Sequence, residues 1–228
     1  MTGSGSGNPI IWVVDENTRE LGTSVLALQQ AIKVTAEVDV KPLEALPHKE
    51  DYLDYIIDSK TAMLVVDQRL QEAKAGIDHT GIELARFIRS YDLNLPISLL
   101  TNYADEQDEF EGNEEFVDYV LSKADLKDTR KKEIIVKRIL RHITVYQRIT
   151  DERQKRHDEL LQKSLRSELS DDEREELDKL GYLRSAAIAA RDQIRRQELE
   201  PQLNELEKLL KDLQQSLVQG NGKDTDHE

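Results

Sequence analysis

A parallel α/β sheet followed by a separate helical region is the fold class this sequence predicts, and three observations predict it. Before residue 129, short apolar runs alternate with longer amphipathic stretches, the pattern of strands separated by helices. After residue 129 the period turns helical; Trp and Phe disappear, and only Pro201, Gly181, Gly220 and Gly222 remain of the residues that punctuate structure. The charge divides at the same place. Residues 1–128 hold 11 Lys+Arg against 25 Asp+Glu and residues 129–228 hold 21 of each, so the whole net charge of −14 belongs to the first part.

The elements follow in order. Residues 1–8, rich in Gly and Ser with no apolar stretch, are expected to be a flexible leader and not a signal peptide. Strands are expected at Ile10–Val14, Ala36–Val40, Ala62–Val66, Pro96–Leu100 and Tyr119–Leu121, near-continuous apolar runs as buried parallel strands require. Helices are expected between them at 18–33, 49–58, 80–90 and 106–117. In the second region Ile135, Ile139, His142, Tyr146 and Ile149 step by 4, 3, 4 and 3, a heptad seam that stops over the polar stretch 150–159. Ser170 and Glu173 form a capping box that starts a second helix through Leu177, Leu180, Leu183, Ala187, Ala190 and Ile194. Pro201 either kinks that helix or starts a third, whose Leu203, Leu206, Leu210, Leu213 and Leu217 repeat the heptad step. Residues 129–218 thus read as a helical hairpin or coiled coil, and 219–228 as a disordered polar tail.

Composition removes several function classes. With no cysteine there is no disulfide, thiolate metal site or Cys nucleophile. No apolar run approaches the roughly 20 residues that cross a bilayer, so a cytoplasmic protein with no membrane partner is expected.

Four strands end in polar residues with chemical capability: Asp15 and Glu16 after the first, Asp67 after the third, Thr101 after the fourth and Lys123 after the fifth. In an open parallel sheet these ends share one edge, where sites form. Clustered carboxylates repel one another unless a cation sits among them, and hard oxygen donors with room for water suit Mg²⁺. A hydroxyl and an ammonium beside them suit phosphoryl oxygens, with a carboxylate as nucleophile.

Residues 9–128 resemble the receiver domain of two-component response regulators. The matching pieces are Val13-Val-Asp-Glu16, Leu64-Val-Val-Asp67, the segment from Gly81 to Arg89, Leu99-Leu-Thr101 and Leu121-Ser-Lys123, in the family's order. The resemblance implies a flavodoxin-like (βα)5 doubly wound sheet. It implies Asp67 as phosphoacceptor, Mg²⁺ held by Asp15, Glu16, Asp67 and the Arg69 backbone carbonyl, and Thr101 and Lys123 binding the phosphoryl group. A histidine kinase is then the phosphodonor. The chain departs from the pattern in a longer loop after Asp67, in Ala124 where Pro is usual, and in Val120 where the aromatic switch residue usually stands, with Tyr119 one place earlier as the candidate. Tyr103 is a candidate for shielding the acyl phosphate from water.

The expected function is a response regulator that passes its phosphorylation state to a homodimer or helical protein partner. Its seam consists of Ile135, Ile139, Tyr146, Ile149, Leu203, Leu206, Leu210, Leu213 and Leu217. Catalysis is expected only in its own phosphorylation and dephosphorylation. The alternatives are a scaffold that works without phosphate, and a phosphorelay protein that uses His157 in Arg156-His-Asp-Glu-Leu160. Residues 130–166 hold 12 Lys+Arg against 5 Asp+Glu, but no DNA-binding pattern accompanies them, so nucleic acid is not an expected partner. Pairing of this basic helix with the acidic segment 105–118 is the sharper expectation.

Overall fold

The computed structural model describes residues 7–58, 60–72, 76–102, 104 and 113–220. Five strands, β1 (Ile10–Asp15), β2 (Asp39–Glu44), β3 (Thr61–Val66), β4 (Ile97–Thr101) and β5 (Tyr119–Ser122), form one parallel sheet in the order β2-β1-β3-β4-β5. That order is the doubly wound, flavodoxin-like one, with its topological switch between β1 and β3.

Helix α1 (Thr18–Lys33) starts where Asn17 accepts the amides of Arg19 and Glu20, an N-cap that satisfies two otherwise orphaned donors. The stretch 49–58 resolves into a 3-10 turn (Lys49–Tyr52) and a short α2 (Leu53–Ile56). Helix α3 (Gly81–Arg89) opens on a capping box of Thr80 and Glu83. The helix expected at 106–117 lies mostly outside the described residues, which show there a 3-10 turn at Glu114–Phe116. The second strand is displaced from its expected place: it runs Asp39–Glu44, not Ala36–Val40, and carries Pro42. β2 is an edge strand, where a residue without an amide proton costs no sheet hydrogen bond on the open side.

Strand residues alternate between two cores. Ile11, Val13, Met63, Val65, Leu100 and Leu121 face α1, and Val14, Leu64, Val66, Ile97 and Leu99 face α3. The first core is completed from an unexpected source. Helix α4 (Thr129–Ser164), capped by Asp128, buries Ile135, Val136, Ile139 and Ile143 against the sheet and α1. Tyr146 lies against the second core, its hydroxyl donating to Asp92 at 2.8 Å. Ile135 and Ile139, read from their period as a seam for another helix, are therefore core residues of this chain. A helix stripe that covers a sheet and one that covers a second helix share the same spacing, so the period alone does not choose.

Beyond the sheet, α4 continues without a break and pairs with α5 (Asp171–Gly220), which opens on the Ser170–Glu173 capping box. Arg156 holds Glu176 at 2.6 Å and Lys163 holds Glu173 at 2.5 Å across the turn, while Leu160 is buried. Helix α5 passes through Pro201 uninterrupted, so no third helix begins there. The chain divides by packing into residues 1–187 and 188–228, not at residue 128 where the composition changes. Leu203, Leu206, Leu210 and Leu213, in the second unit, are all exposed. Gln219 and Gly220 are the last residues of α5, and the rest of the polar tail lies outside the described residues, as does the leader up to residue 6.

Candidate functional site

The carboxyl ends of β1, β3, β4 and β5 bring the expected residues to one edge. Asp15 is 1% exposed; one oxygen accepts the Asn17 amide at 2.8 Å and the other lies 2.8 Å from Lys123 Nζ. Asp67, 6% exposed, accepts the Arg69 amide at 2.7 Å and pairs with Lys123 Nζ at 2.8 Å. Thr101 is buried at the end of β4, and its carbonyl accepts the Lys123 amide at 2.9 Å, which fixes the end of β5 beside it.

Lys123 is the centre of this arrangement, and a third partner joins it. Glu20, in the first turn of α1, accepts from Nζ at 2.6 Å and from the Asn102 side chain at 3.5 Å. Burial works against the charge on Lys123, but Asp15, Asp67 and Glu20 outweigh it and hold its pKa above the usual lysine value. The same Lys123 hydrogen bond keeps Glu20 below the usual carboxylate range. For Asp67 burial dominates and raises the pKa in spite of Lys123. Glu16 is pushed to about 7, by burial first and then by the neighbouring Asp67 and Asp15. The residue that sequence reasoning missed is Glu20. Its signal was its place on the first turn of the helix that leaves the Asp15 strand.

Close packing holds Asp67 in place. A Cβ on Gly81 would sit 2.3 Å from the Asp67 carbonyl oxygen, so only glycine lets α3 approach the end of β3 this closely. Buried Gln68 completes the join: its backbone carbonyl accepts the Gly81 amide at 2.9 Å and its side chain accepts the Ile82 amide at 3.1 Å. The long loop between them is tied back by Asp78, which holds His48 at 3.1 Å and buried His79 at 3.0 Å.

The donor set fits a hard cation. Glu16 Oε2 is buried without a hydrogen-bond partner, and Asp67 and the turn at Arg69, whose carbonyl accepts the Glu72 amide at 3.1 Å, lie on the same strand end. Among the described residues no group of three or more His, Asp or Glu side chains is arranged to hold a metal ion by itself. Few protein ligands and several retained waters is the mode in which Mg²⁺ binds, so the set suits that ion better than one that demands a full protein shell.

Other expected residues are placed elsewhere. Tyr119 opens β5, at the opposite end of the strand from Lys123, and lies on the face covered by α1 and α4, since strand side chains alternate. Its hydroxyl is 3.1 Å from His142 Nε2 on α4 and its ring lies under Arg138, so it serves the α4 junction and not the strand edge that holds Asp67. Tyr103 lies outside the described residues. The side chain of His157 is only 17% exposed within the hairpin, against the exposed position a phosphotransfer histidine needs. Of the acidic segment 105–118, residues 105–112 lie outside the described residues. Asp118 pairs with Arg89 at 3.1 Å and approaches His142 at 3.6 Å, and Lys131 pairs with Asp125 at 2.7 Å.

No protein-family model matches the chain, and no curated protein matches it. Solved structures do. The BeF3-activated DrrB receiver domain is 23% identical over 60% of this chain and 98% of its own, with a TM-score of 0.43. A response regulator receiver domain protein from Clostridium thermocellum is 13% identical over 62% and 98%, with a TM-score of 0.46. The non-phosphorylated HemR receiver domain from Leptospira biflexa is 22% identical over 60% and 94%, with a TM-score of 0.41. Each of these matches spans most of the solved domain and about three fifths of this chain.

Proposed function

We propose that the chain is a response regulator whose Asp67 accepts a phosphoryl group from a histidine kinase and whose helices carry the result to a second copy or another helical protein. The observation that carries this reading is the juxtaposition of buried Asp67 with Lys123 at 2.8 Å, at the strand edge that also holds Asp15, Glu16 and Thr101. A carboxylate beside a fixed ammonium is equipped for group transfer. An Asp67 oxygen attacks phosphorus, the new O–P bond forms as the donor's N–P bond breaks, and the imidazole leaves with the electron pair. Lys123 and the Thr101 hydroxyl receive the phosphoryl oxygens.

Mg²⁺, held by Asp15, Glu16, Asp67 and the Arg69 carbonyl, would supply charge neutralisation for those oxygens. No broader catalytic activity is proposed. Among the described residues no helix is long and apolar enough to cross a membrane, and a cytoplasmic setting matches that of the proposed kinase partner.

The output surface in this reading is the leucine face of α5, because Ile135 and Ile139 are already covered. The test is incubation with acetyl phosphate and Mg²⁺, read by phosphate-affinity gel shift, together with light-scattering mass with and without beryllofluoride. The expected outcome is a shifted band in the wild type, none in Asp67→Asn, and a mass change in the wild type alone. A mass change common to both proteins, with no shifted band in either, would support the scaffold reading instead.

A further inference from the structure

The Lys123 ammonium has three N–H donors and three carboxylate oxygens within 2.8 Å: Asp15 at 2.8 Å, Asp67 at 2.8 Å and Glu20 at 2.6 Å. Its hydrogen-bonding capacity is full before any phosphoryl group arrives. Asp15 and Asp67 belong to the strand ends, but Glu20 stands on α1 and is reached from outside: its side chain is 42% exposed, against 11% for Lys123. A phosphoryl oxygen on Asp67 needs a Lys123 N–H, so one existing bond must be given up. The Asp15 carboxylate is 2% exposed and cannot turn to water, whereas Glu20 can be solvated as soon as it is released. Glu20 also accepts from the side chain of Asn102, the residue after Thr101, at 3.5 Å, a contact that its release would break.

We infer that Glu20 is a positioning residue that holds Lys123 in the unphosphorylated arrangement and surrenders it when Asp67 is phosphorylated. The inference rests on the phosphorylation reading above. It makes Glu20 a brake: the bond lost on its release counts against the phosphorylated state, and removing that bond favours the state. In the reaction with acetyl phosphate, an Asp67 oxygen forms the new O–P bond while the bridging O–P bond of the donor breaks and acetate leaves with the electron pair. Lys123 keeps its proton throughout and changes only the oxygen it faces.

The experiment measures the ratio of phosphorylated to unphosphorylated full-length protein at sub-saturating acetyl phosphate with Mg²⁺, in the wild type, Glu20→Gln, Glu20→Asp and Glu37→Gln. Glu37 is an exposed carboxylate on the connection between α1 and β2, and its substitution controls for the loss of one negative charge. Glu20→Asp keeps the charge but shortens the reach to Lys123. The expected result is a ratio raised about two- to fivefold in both Glu20 variants, the range of a partly exposed ion pair, and unchanged in Glu37→Gln. Thermal melting of each variant checks that the fold is retained.

A rise in Glu20→Gln matched by Glu37→Gln, or absent in Glu20→Asp, assigns the effect to bulk charge and overturns the inference. So does an unchanged or lowered ratio in both Glu20 variants. A wild type that takes no phosphoryl group overturns the underlying reading itself, whereas a phosphorylated wild type with indifferent Glu20 variants overturns the inference alone.

Discussion

At the scale of single residues, two positions at the site carry sharp expectations. Gly81 has no space for a methyl group, since its Cβ would meet a backbone oxygen that cannot rotate away. Gly81→Ala is expected to cost about 1–3 kcal/mol by overpacking, and to slow phosphorylation because Asp67 must shift with its carbonyl. Urea unfolding and gel-shift kinetics on the same variant check both. Glu16 sets a pH dependence. Its folded pKa of about 7 exceeds the ordinary 4.5, so the folded state holds this proton more tightly than the unfolded chain. The contribution is fully present below pH 4.5 and is lost as pH rises through 7. Without divalent cations, melting temperature should therefore fall over this window more steeply in the wild type than in Glu16→Gln. Adding Mg²⁺ should remove the difference near pH 7, because the cation favours the charged carboxylate.

At the scale of elements, α4 separates what periodicity reveals from what it hides. The strands were legible as short apolar runs bounded by polar and turn residues, four of them within a residue or two of their observed limits. β2 was misplaced because Pro42 reads as a terminator unless the strand is known to lie on an edge. The 3-4 spacing of Ile135, Ile139 and Tyr146 correctly marked one face of a helix, yet held nothing about what covers it. The partner, a sheet face made of five separate segments, is a long-range fact. Two substitutions distinguish the covered face from the open one. Ile139→Ala is expected to destabilise the sheet domain by about 2–5 kcal/mol, measured by denaturant unfolding of the monomer. Leu206→Ala and Leu210→Ala, on exposed positions of α5, should leave that transition in place and lower the light-scattering mass at equal concentration.

At the scale of the whole molecule, the site was legible as a set but not as a circuit. Asp15, Glu16, Asp67, Thr101 and Lys123 could be gathered from the rule that parallel strands share a carboxyl edge. Glu20 was harder to gather, because its place on the first turn of α1 becomes informative only once the direction in which α1 leaves that edge is known. The same limit applies to chain division. Charge and composition change at residue 128, but packing runs on through α4, since Ile135, Val136, Ile139 and Ile143 fill the sheet-facing core. Truncation after residue 128 is therefore expected to leave an apolar face bare and give an insoluble or unfolded product. Truncation after residue 187 should preserve a cooperative melt, and circular dichroism of the two products decides it.

One helix, 36 residues long, begins beside the Lys123 loop and ends in the hairpin without a break. Each added residue advances a helix by about 100° and 1.5 Å, so the azimuth of the hairpin is locked to the azimuth of Ile143 by residue count alone. The stretch between Ile143 and Leu160 thus behaves as a keyed shaft, in which phase is the property that must be kept. Inserting one residue there would turn the hairpin by about a quarter of a revolution, while inserting seven would return it to within about 20° of its starting angle. Insertions and deletions in this segment should be tolerated by helical period and not by length.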